Sequence, residues 1–362
     1  MDIFDTNIKT EFISDITDDN YEQKREIPGY NYNMFQSMII KDGIEYYCER
    51  INVNSEFNIN GSNGLFFSNN RDDNTRFEGA QIDTEDPRLF ICNDKIYVIF
   101  NAVYGNTRSM TISEYDHFNP VFLRIQSDNE HDYNNKIEKN WTPCVVGNTL
   151  YLIYLFDPLI VLHYDFNRDG FCRIIYKQDP ETNISSIEIN KKSLRGSSIF
   201  IPFFHGCLGE LYIGLCHSYI NKDDHYYYFA YLCILNVTKW KIVYISKPIA
   251  CRSLLTDNIT KYKDTDIICN YNRYYYKNTH FGNVHSIDIS VVYPTSISKI
   301  KNEDDKEEYI IILNLNKYSL KNKMMIDDVS ILQKIIETDS LDALQLWDEM
   351  VKNSSMELIL SI

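Results

Sequence analysis

The sequence predicts an all-β chain, a β-propeller followed by a short α-helical tail. Three observations carry this. Short strand-like runs fill most of the chain, tight-turn residues separate them, and one turn-plus-strand pattern recurs along its length. Helical periodicity is absent until the C-terminal end.

The first strand candidates are Ser37–Ile40 and Glu45–Cys48, hinged at Lys41-Asp42-Gly43, then Leu89–Cys92 and Ile96–Phe100, hinged at Asn93-Asp94. Thr149–Leu155, Ile160–Tyr164 and Phe171–Tyr176 follow, with Asn167 to Gly170 a hairpin signal between the last two. Leu211–His217, Tyr226–Leu235, Lys241–Ile245 and Tyr309–Leu313 complete the set. From Asp327 to Met350 the apolar residues Ile331, Leu332, Ile335, Ile336, Leu341, Leu344, Leu346 and Trp347 adopt helical spacing, and Asp339-Ser340 divides them into two short helices. Such a stripe caps a propeller face or binds a partner, including a second copy of the chain.

A large sandwich, a β-helix and a propeller all fit a β-rich chain of 362 residues. The repeat separates them. A turn followed by Leu/Ile-Tyr-aliphatic-aliphatic occurs at Asp94–Phe100, Asn148–Tyr154 and Gly209–Leu215, with a fainter copy at Asp42–Tyr47. Spacings of about 50 to 60 residues fit one blade per copy. An alternating sandwich imitates two copies more readily than four.

Polar clusters precede these strands: Glu85-Asp86-Pro87-Arg88, Glu138-Lys139-Asn140-Trp141-Thr142-Pro143-Cys144, and Leu194-Arg195-Gly196-Ser197-Ser198. Equivalent points of successive blades converge on a central channel, so groups recurring in one phase line a single pocket. Pro87 restricts Asp86 to an extended or turn conformation, and Arg88 offers a planar fork to a carboxylate, a phosphate or a hydroxyl pair. The plainer alternative is an ion pair closing a β-turn. Trp141 offers a stacking face, Lys139 and Asn140 hydrogen-bonding groups, and Arg195-Gly196 a cation beside a close backbone approach. A sugar suits such a pocket, and its arginines also suit phosphate.

Composition narrows the partners. A net charge of −15 argues against nucleic acid or an anionic membrane. Nine cysteines without C-x-x-C pairs read as reduced thiols. No secretory signal and no apolar run of about 18 residues is visible, so a cytoplasmic chain is expected. His117, His131 and Asp132 lack ligand-like spacing, and no metal or cofactor is expected.

The ordered motifs EDPRLF, EKNWTPC, LRGSS, LYIGLCHSY and YYYFAYLCIL with SKPI resemble glycoside hydrolase family 130 and the related glycosyltransferase family 108. The Asn/Ile/Lys/Tyr-rich bias resembles coding from an AT-rich genome such as a large DNA virus. The resemblance implies a five-bladed β-propeller over residues 30–320, an N-terminal extension over 1–29 and a helical segment over 321–362. It implies mannose-type glycoside phosphorolysis or glycosyl transfer, with inorganic phosphate or a sugar phosphate as co-substrate. Asp86 and Arg88 match the first motif, Lys139 and Asn140 the KNW motif, Arg195 the RGG-like motif, His217 the strand ending in HS, and Arg50 a first-blade arginine. His217 reads equally as a core histidine, and Arg50 as a surface partner of Glu49 or Glu45.

The departures fall in the expected pocket. Tyr104 stands where the resemblance places the acid, Asn314-Leu315-Asn316-Lys317 replaces a Gly-x-Asn-Asp-like pattern, Phe35-Gln36-Ser37-Met38 replaces Asn-Pro-Ser, and Arg195-Gly196-Ser197-Ser198-Ile199 replaces RGG. Tyrosine ionises near pH 10 and is a poor proton donor unless strongly tuned, which sends the search for an acid to Asp116 or Glu114. Three readings stay open: a carbohydrate-active enzyme, a sugar-binding propeller without catalysis, and a protein-interaction scaffold.

Overall fold

The computed structural model describes residues 8–12, 30–53, 63–70, 76–78, 83–104, 107–126, 140–179, 194–222, 225–246, 249, 273–277, 284–288, 292–302, 304, 306–315 and 318–338. They form a five-bladed β-propeller with one short helix. In chain order, β1 (Ile8–Phe12) precedes the first blade, made of β2 (Tyr30–Lys41), β3 (Ile44–Val53), β4 (Asn63–Asn69) and β5 (Arg76–Glu78). The second blade is β6 (Thr84–Cys92), β7 (Lys95–Tyr104), β8 (Thr107–Glu114) and β9 (Val121–Phe122). In the third, β10 (Arg124–Gln126) forms the outer edge of β11 (Thr142–Val146), β12 (Thr149–Phe156), β13 (Leu159–Tyr164) and β14 (Phe171–Lys177). The fourth comprises β15 (Arg195–Gly196), β16 (Ile201–Gly206), β17 (Gly209–Lys222), β18 (His225–Asn236) and β19 (Lys241–Ile245). A hairpin of β20 (Arg273–Lys277) and β21 (Val284–Asp288) comes next. The fifth blade contains β22 (Val292–Lys301), β23 (Glu307–Leu315) and β24 (Tyr318–Ile326), and α1 (Asp328–Thr338) follows.

The outer strand of the fifth blade is β1, antiparallel to β24 with Ile8 opposite Ile326. The start of the described chain therefore closes the ring against its last strand. This strand lies within the segment expected as an N-terminal extension, and β24 continues past residue 320 to Ile326. Of the two expected helices, the first is α1. The segment after Asp339-Ser340 lies outside the described residues.

The four repeat copies all fall on the second strand of a blade, β3, β7, β12 and β17. A fifth copy, missed in the sequence, is Tyr309-Ile310-Ile311-Ile312-Leu313 on β23. The turns ahead of the first two have positive φ at both central residues, Asp42 (51°) and Gly43 (73°), and Asn93 (50°) and Asp94 (60°). That geometry matches the twist of a two-residue hairpin, and Asp, Asn and Gly tolerate it best.

The first strand of each blade, β2, β6, β11, β15–β16 and β22, is an edge strand lining the axis. An edge strand has backbone N–H groups with no ladder partner, so proline is tolerated there. Pro87, Pro143, Pro202 and Pro294 occupy this strand in four of the blades. Between blades, the faces of the sheets meet in an apolar core that includes Leu89, Val98, Leu152, Leu162, Leu232 and Ile311, each no more than 1% exposed. Ile331 and Ile335 anchor α1 on the same core. No helix among the described residues is long and apolar enough to cross a membrane.

Gly196 sits where two inner strands nearly touch: a Cβ there would come within 1.7 Å of Thr142 Oγ1 and 2.8 Å of the Asn140 carbonyl. Gly196→Ala is therefore expected to lower stability by about 1–3 kcal/mol, as overpacking does. Gly43→Ala meets open space but must hold φ at +73° and should lose only about 1 kcal/mol. Urea-unfolding midpoints of the two variants test the order.

Candidate functional site

The inner strands are irregular at one level of the axis. Register shifts interrupt β2 between Met34 and Gln36, β6 between Glu85 and Arg88, and β22 between Pro294 and Ser296. At the same level Asn140-Trp141 leads into β11, and Ser197–Phe200 separates β15 from β16. Bulges of this kind re-aim side chains beside functional sites. Phe35 and Asp86, both at bulges, have φ of 56° and 53°. Left-handed backbone is strained at a bulky residue, and at a residue before proline it departs from the usual extended form.

Arg88 lies at the centre of this level, 1% exposed. Its Nε donates to the Ser197 carbonyl at 2.5 Å, Nη1 to the Asp86 carbonyl at 3.2 Å, and Nη2 to Asn140 Oδ1 at 3.2 Å and Tyr293 Oη at 3.3 Å. Tyr293 Oη donates in turn to Asn140 Oδ1 at 2.9 Å. One guanidinium thus joins blades two, three, four and five, and its donors face protein acceptors. It forms a floor across the channel.

On this floor rests a buried ring pair. The His217 imidazole lies 4.3 Å from the Tyr293 ring and its Nδ1 is 2.5 Å from Ser197 Oγ. Burial first, then the charges of Arg195 and Arg88, hold the His217 pKa well below the ordinary histidine value. A neutral imidazole is the consequence at neutral pH. Burial also raises the Tyr293 phenol, so it serves as a hydrogen-bonding group and not a phenolate.

Around the floor stand half-buried charges. Arg50 Nη2 pairs with Glu85 Oε1 at 3.0 Å and Nη1 with Asp86 Oδ1 at 3.5 Å, and these three side chains keep 14–15% exposure. Arg50 therefore reaches across to the second blade and pairs with neither Glu49 nor Glu45, which bond Gln36 and Lys321. Arg108 extends the network to Glu85 Oε2 at 2.5 Å, Asn101 Oδ1 at 2.7 Å and Asp83 at 3.1 Å. Aromatic faces adjoin it. Phe35 meets Tyr293 edge-on at 5.2 Å and lies under Arg50, Tyr228 adjoins His217, and Tyr219 lies under Arg195 at 5.4 Å.

The structure thus brings together Arg50, Asp86, Arg88, Asn140, Arg195 and His217. Lys139 and Lys317 lie outside the described residues, as does the side chain of Tyr104, the last residue of β7. Trp141 is buried and meets Tyr154 edge-on at 5.4 Å, so its ring packs inside the protein. Glu114 pairs with Lys95 at 3.0 Å on an outer strand, and Asp116 is exposed beyond it, so neither belongs to the cluster. Sequence reasoning missed Ser197 and Tyr293 as partners. The available signal was Tyr293-Pro294, which repeats the X-Pro step of Asp86-Pro87 in another blade. Among the described residues no group of three or more His, Cys, Asp or Glu could hold a metal.

No family model matches the chain, and no curated protein matches it. Solved structures do. The chain is similar to a β-1,2-mannobiose phosphorylase from Listeria innocua in complex with β-1,2-mannobiose, with TM-score 0.51, 13% identity, and 91% of this chain and 99% of that one covered. A glycosyl hydrolase from Bacteroides ovatus matches with TM-score 0.50 and 10% identity over 81% of this chain and 84% of that one. The likeness is one of fold. At such identities it says nothing by itself of the residues in the site.

Two results test the floor. Arg88→Leu strands the buried Ser197 carbonyl, takes one of the donors from Asn140 Oδ1, and should lower stability by about 3 kcal/mol or more in chemical denaturation. His217 binds fewer protons folded than unfolded, so its stabilising contribution is present above the unfolded pKa of about 6.5 and is lost as pH falls below it. Between pH 7 and pH 5 the wild type should lose up to about 1.4 kcal/mol per pH unit relative to His217→Gln, measured by urea unfolding.

Proposed function

We propose that the chain is a carbohydrate-active propeller that takes a mannose-like sugar at the polar end of its axis. The carrying observation is the rim of Arg50, Glu85 and Asp86, each 14–15% exposed, standing above the sealed Arg88 floor and beside aromatic faces. Carboxylates and guanidinium groups bind vicinal hydroxyls, and aromatic rings cover the apolar face of a pyranose.

In the enzymatic form of this reading, a glycosidic bond is cleaved by inversion. Phosphate attacks the anomeric carbon while a carboxylic acid protonates the departing oxygen, giving a sugar 1-phosphate and a free hydroxyl. The reverse direction is glycosyl transfer from a sugar phosphate. Asp86 is the group we assign as acid: it is on the inner strand and 15% exposed, and it takes up the proton it delivers once Arg50, paired with it at 3.5 Å, turns to the phosphate. Arg195 and Arg50 would hold the phosphate. The β-1,2-mannobiose phosphorylase among the neighbours supports this class of substrate and reaction.

A second reading, sugar binding without turnover, is favoured by a specific observation. Tyr104 replaces the expected acid, and the charges of Arg50 and Arg108 are already met by Glu85, Asp86 and Asp83. The experiment is phosphate release and uptake with mannose-type disaccharides and sugar 1-phosphates, run beside calorimetric binding of the same sugars. Turnover that is abolished in Asp86→Asn, with binding retained, is the expected result. Binding without turnover selects the second reading. A folded protein that neither binds nor turns over any of them overturns both.

A further inference from the structure

The fourth blade departs from the others at the polar end of the axis. Its second strand, β17, runs for 14 residues, where the equivalent strands β3, β7, β12 and β23 have 8 to 10. Each of these strands starts beside the end of its inner strand and runs back toward the level of Arg88. The excess of β17 therefore projects past that level. It is the stretch after His217, where Ser218–Lys222 pair with His225–Phe229. At about 3.3 Å per residue it reaches roughly 15 Å beyond the floor.

The pairing of β15 stops at Arg195 opposite His217, and β19 pairs only with Cys233–Asn236. Among the described residues this stretch is thus a two-stranded ribbon without a third strand in its ladder. Such a ribbon is marginal by itself, and here one of its faces holds it down. Ser218 and Phe229 are each 1% exposed, and Ser218 Oγ meets the buried Tyr231 Oη at 3.0 Å.

Side chains alternate across a strand, so the opposite face carries His217, Tyr219 and Tyr228. Tyr219 and Tyr228 are register partners, both half-buried, with rings 5.8 Å apart. The Tyr228 ring lies 5.8 Å from His217 and 6.1 Å from Tyr293 of the floor. A continuous row of rings therefore climbs from the floor to the ribbon, and Arg195 flanks its upper end over Tyr219. The acidic groups of the site stand on the other side, where Glu85 and Asp86 of the second blade meet Arg50 of the first. One side of the site is charged and stays close to the floor. The other is aromatic and extends outward. Tyrosine rings cover the apolar faces of successive sugars, and their phenol tips bond the hydroxyls along the edges. That suits a chain of sugars better than a single one.

We propose that the β17–β18 ribbon is a second carbohydrate subsite, and that the ligand is an oligosaccharide. Its terminal unit occupies the charged rim, and the following units lie along Tyr228 and Tyr219. The inference rests on the sugar-site reading of the polar end and extends it to the length of the chain that is bound.

The test is calorimetric titration of the full-length protein with β-1,2-linked manno-oligosaccharides, from the monosaccharide to the tetrasaccharide, beside Tyr219→Ala and Tyr228→Ala. The readout is the ratio of tetrasaccharide to monosaccharide affinity, which a general loss of folded protein does not move. In the wild type this ratio is expected to be about tenfold or more, and in both variants to fall toward one. Equal affinity across the wild-type series, or a ratio that both variants retain, would overturn the ribbon subsite and leave the sugar site standing. A folded wild type that binds no member of the series would remove the sugar site and the subsite with it. The wild-type series and a second variant keep the test decisive if one substitution unfolds the ribbon.

Discussion

A ring of five blades has no single core, and what fixes it is the seam where its inner edges meet. Arg88 is the centre of that seam. A buried guanidinium is costly to desolvate, and it persists here because acceptors from three other blades and its own strand surround it. Further bonds between inner strands join neighbouring blades. Leu89 N–H donates to Ser37 Oγ, Met38 N–H to Ser296 Oγ, and Phe200 N–H to the Pro143 carbonyl, tying blades two to one, one to five and four to three. The bulges, the prolines and the left-handed residues follow from the same demand, because edge strands brought to one axis must turn their free backbone groups toward one another.

This seam divides the channel by chemistry. On one side lie Arg50, Glu85, Asp86, Arg108 and Arg195 with Phe35 and tyrosine faces. On the other lie aliphatic, proline and phenylalanine side chains, apart from a paired lysine and a serine. A site floored by an arginine whose donors are met by protein acceptors is closed to through-passage, so any ligand would enter and leave by one mouth. The negative charge of the whole chain does not contradict an anionic co-substrate, since the local balance is set by the three arginines of the rim and Arg88 beneath them against Glu85, Asp86 and Asp83.

The parts of this fold legible in the sequence were the local ones. Asp94-Lys95-Ile96-Tyr97 and its copies state a turn and a strand within a few residues, and the structure places each copy on the second strand of a blade. Lys41-Asp42-Gly43 and Asn93-Asp94 likewise announce their own backbone geometry. The weak fifth copy escaped because Lys306-Glu307-Glu308 lacks the compact turn residues of the others. The site was legible as a set of residues and illegible as a set of contacts. Arg88 looked like a ligand-binding fork because its partners Ser197 and Tyr293 are 109 and 205 residues away. Nothing in its own neighbourhood says that its donors are used. Trp141 misled for a similar reason, since an aromatic beside polar residues reads the same whether its face is packed or open.

The pairing of β1 with β24 has a consequence for how the molecule comes into being. Ile8 and Ile326 are partners far apart in sequence, so the last sheet cannot be completed until the chain has been made through β24. The entropy of drawing together such distant segments must be met before the contact rewards it, which makes ring closure a slow, late event. Until then β24 presents an unpaired edge, the kind of surface on which foreign strands add. During synthesis, the vulnerable species is an open crescent of folded blades waiting to pair with a strand made before any of them.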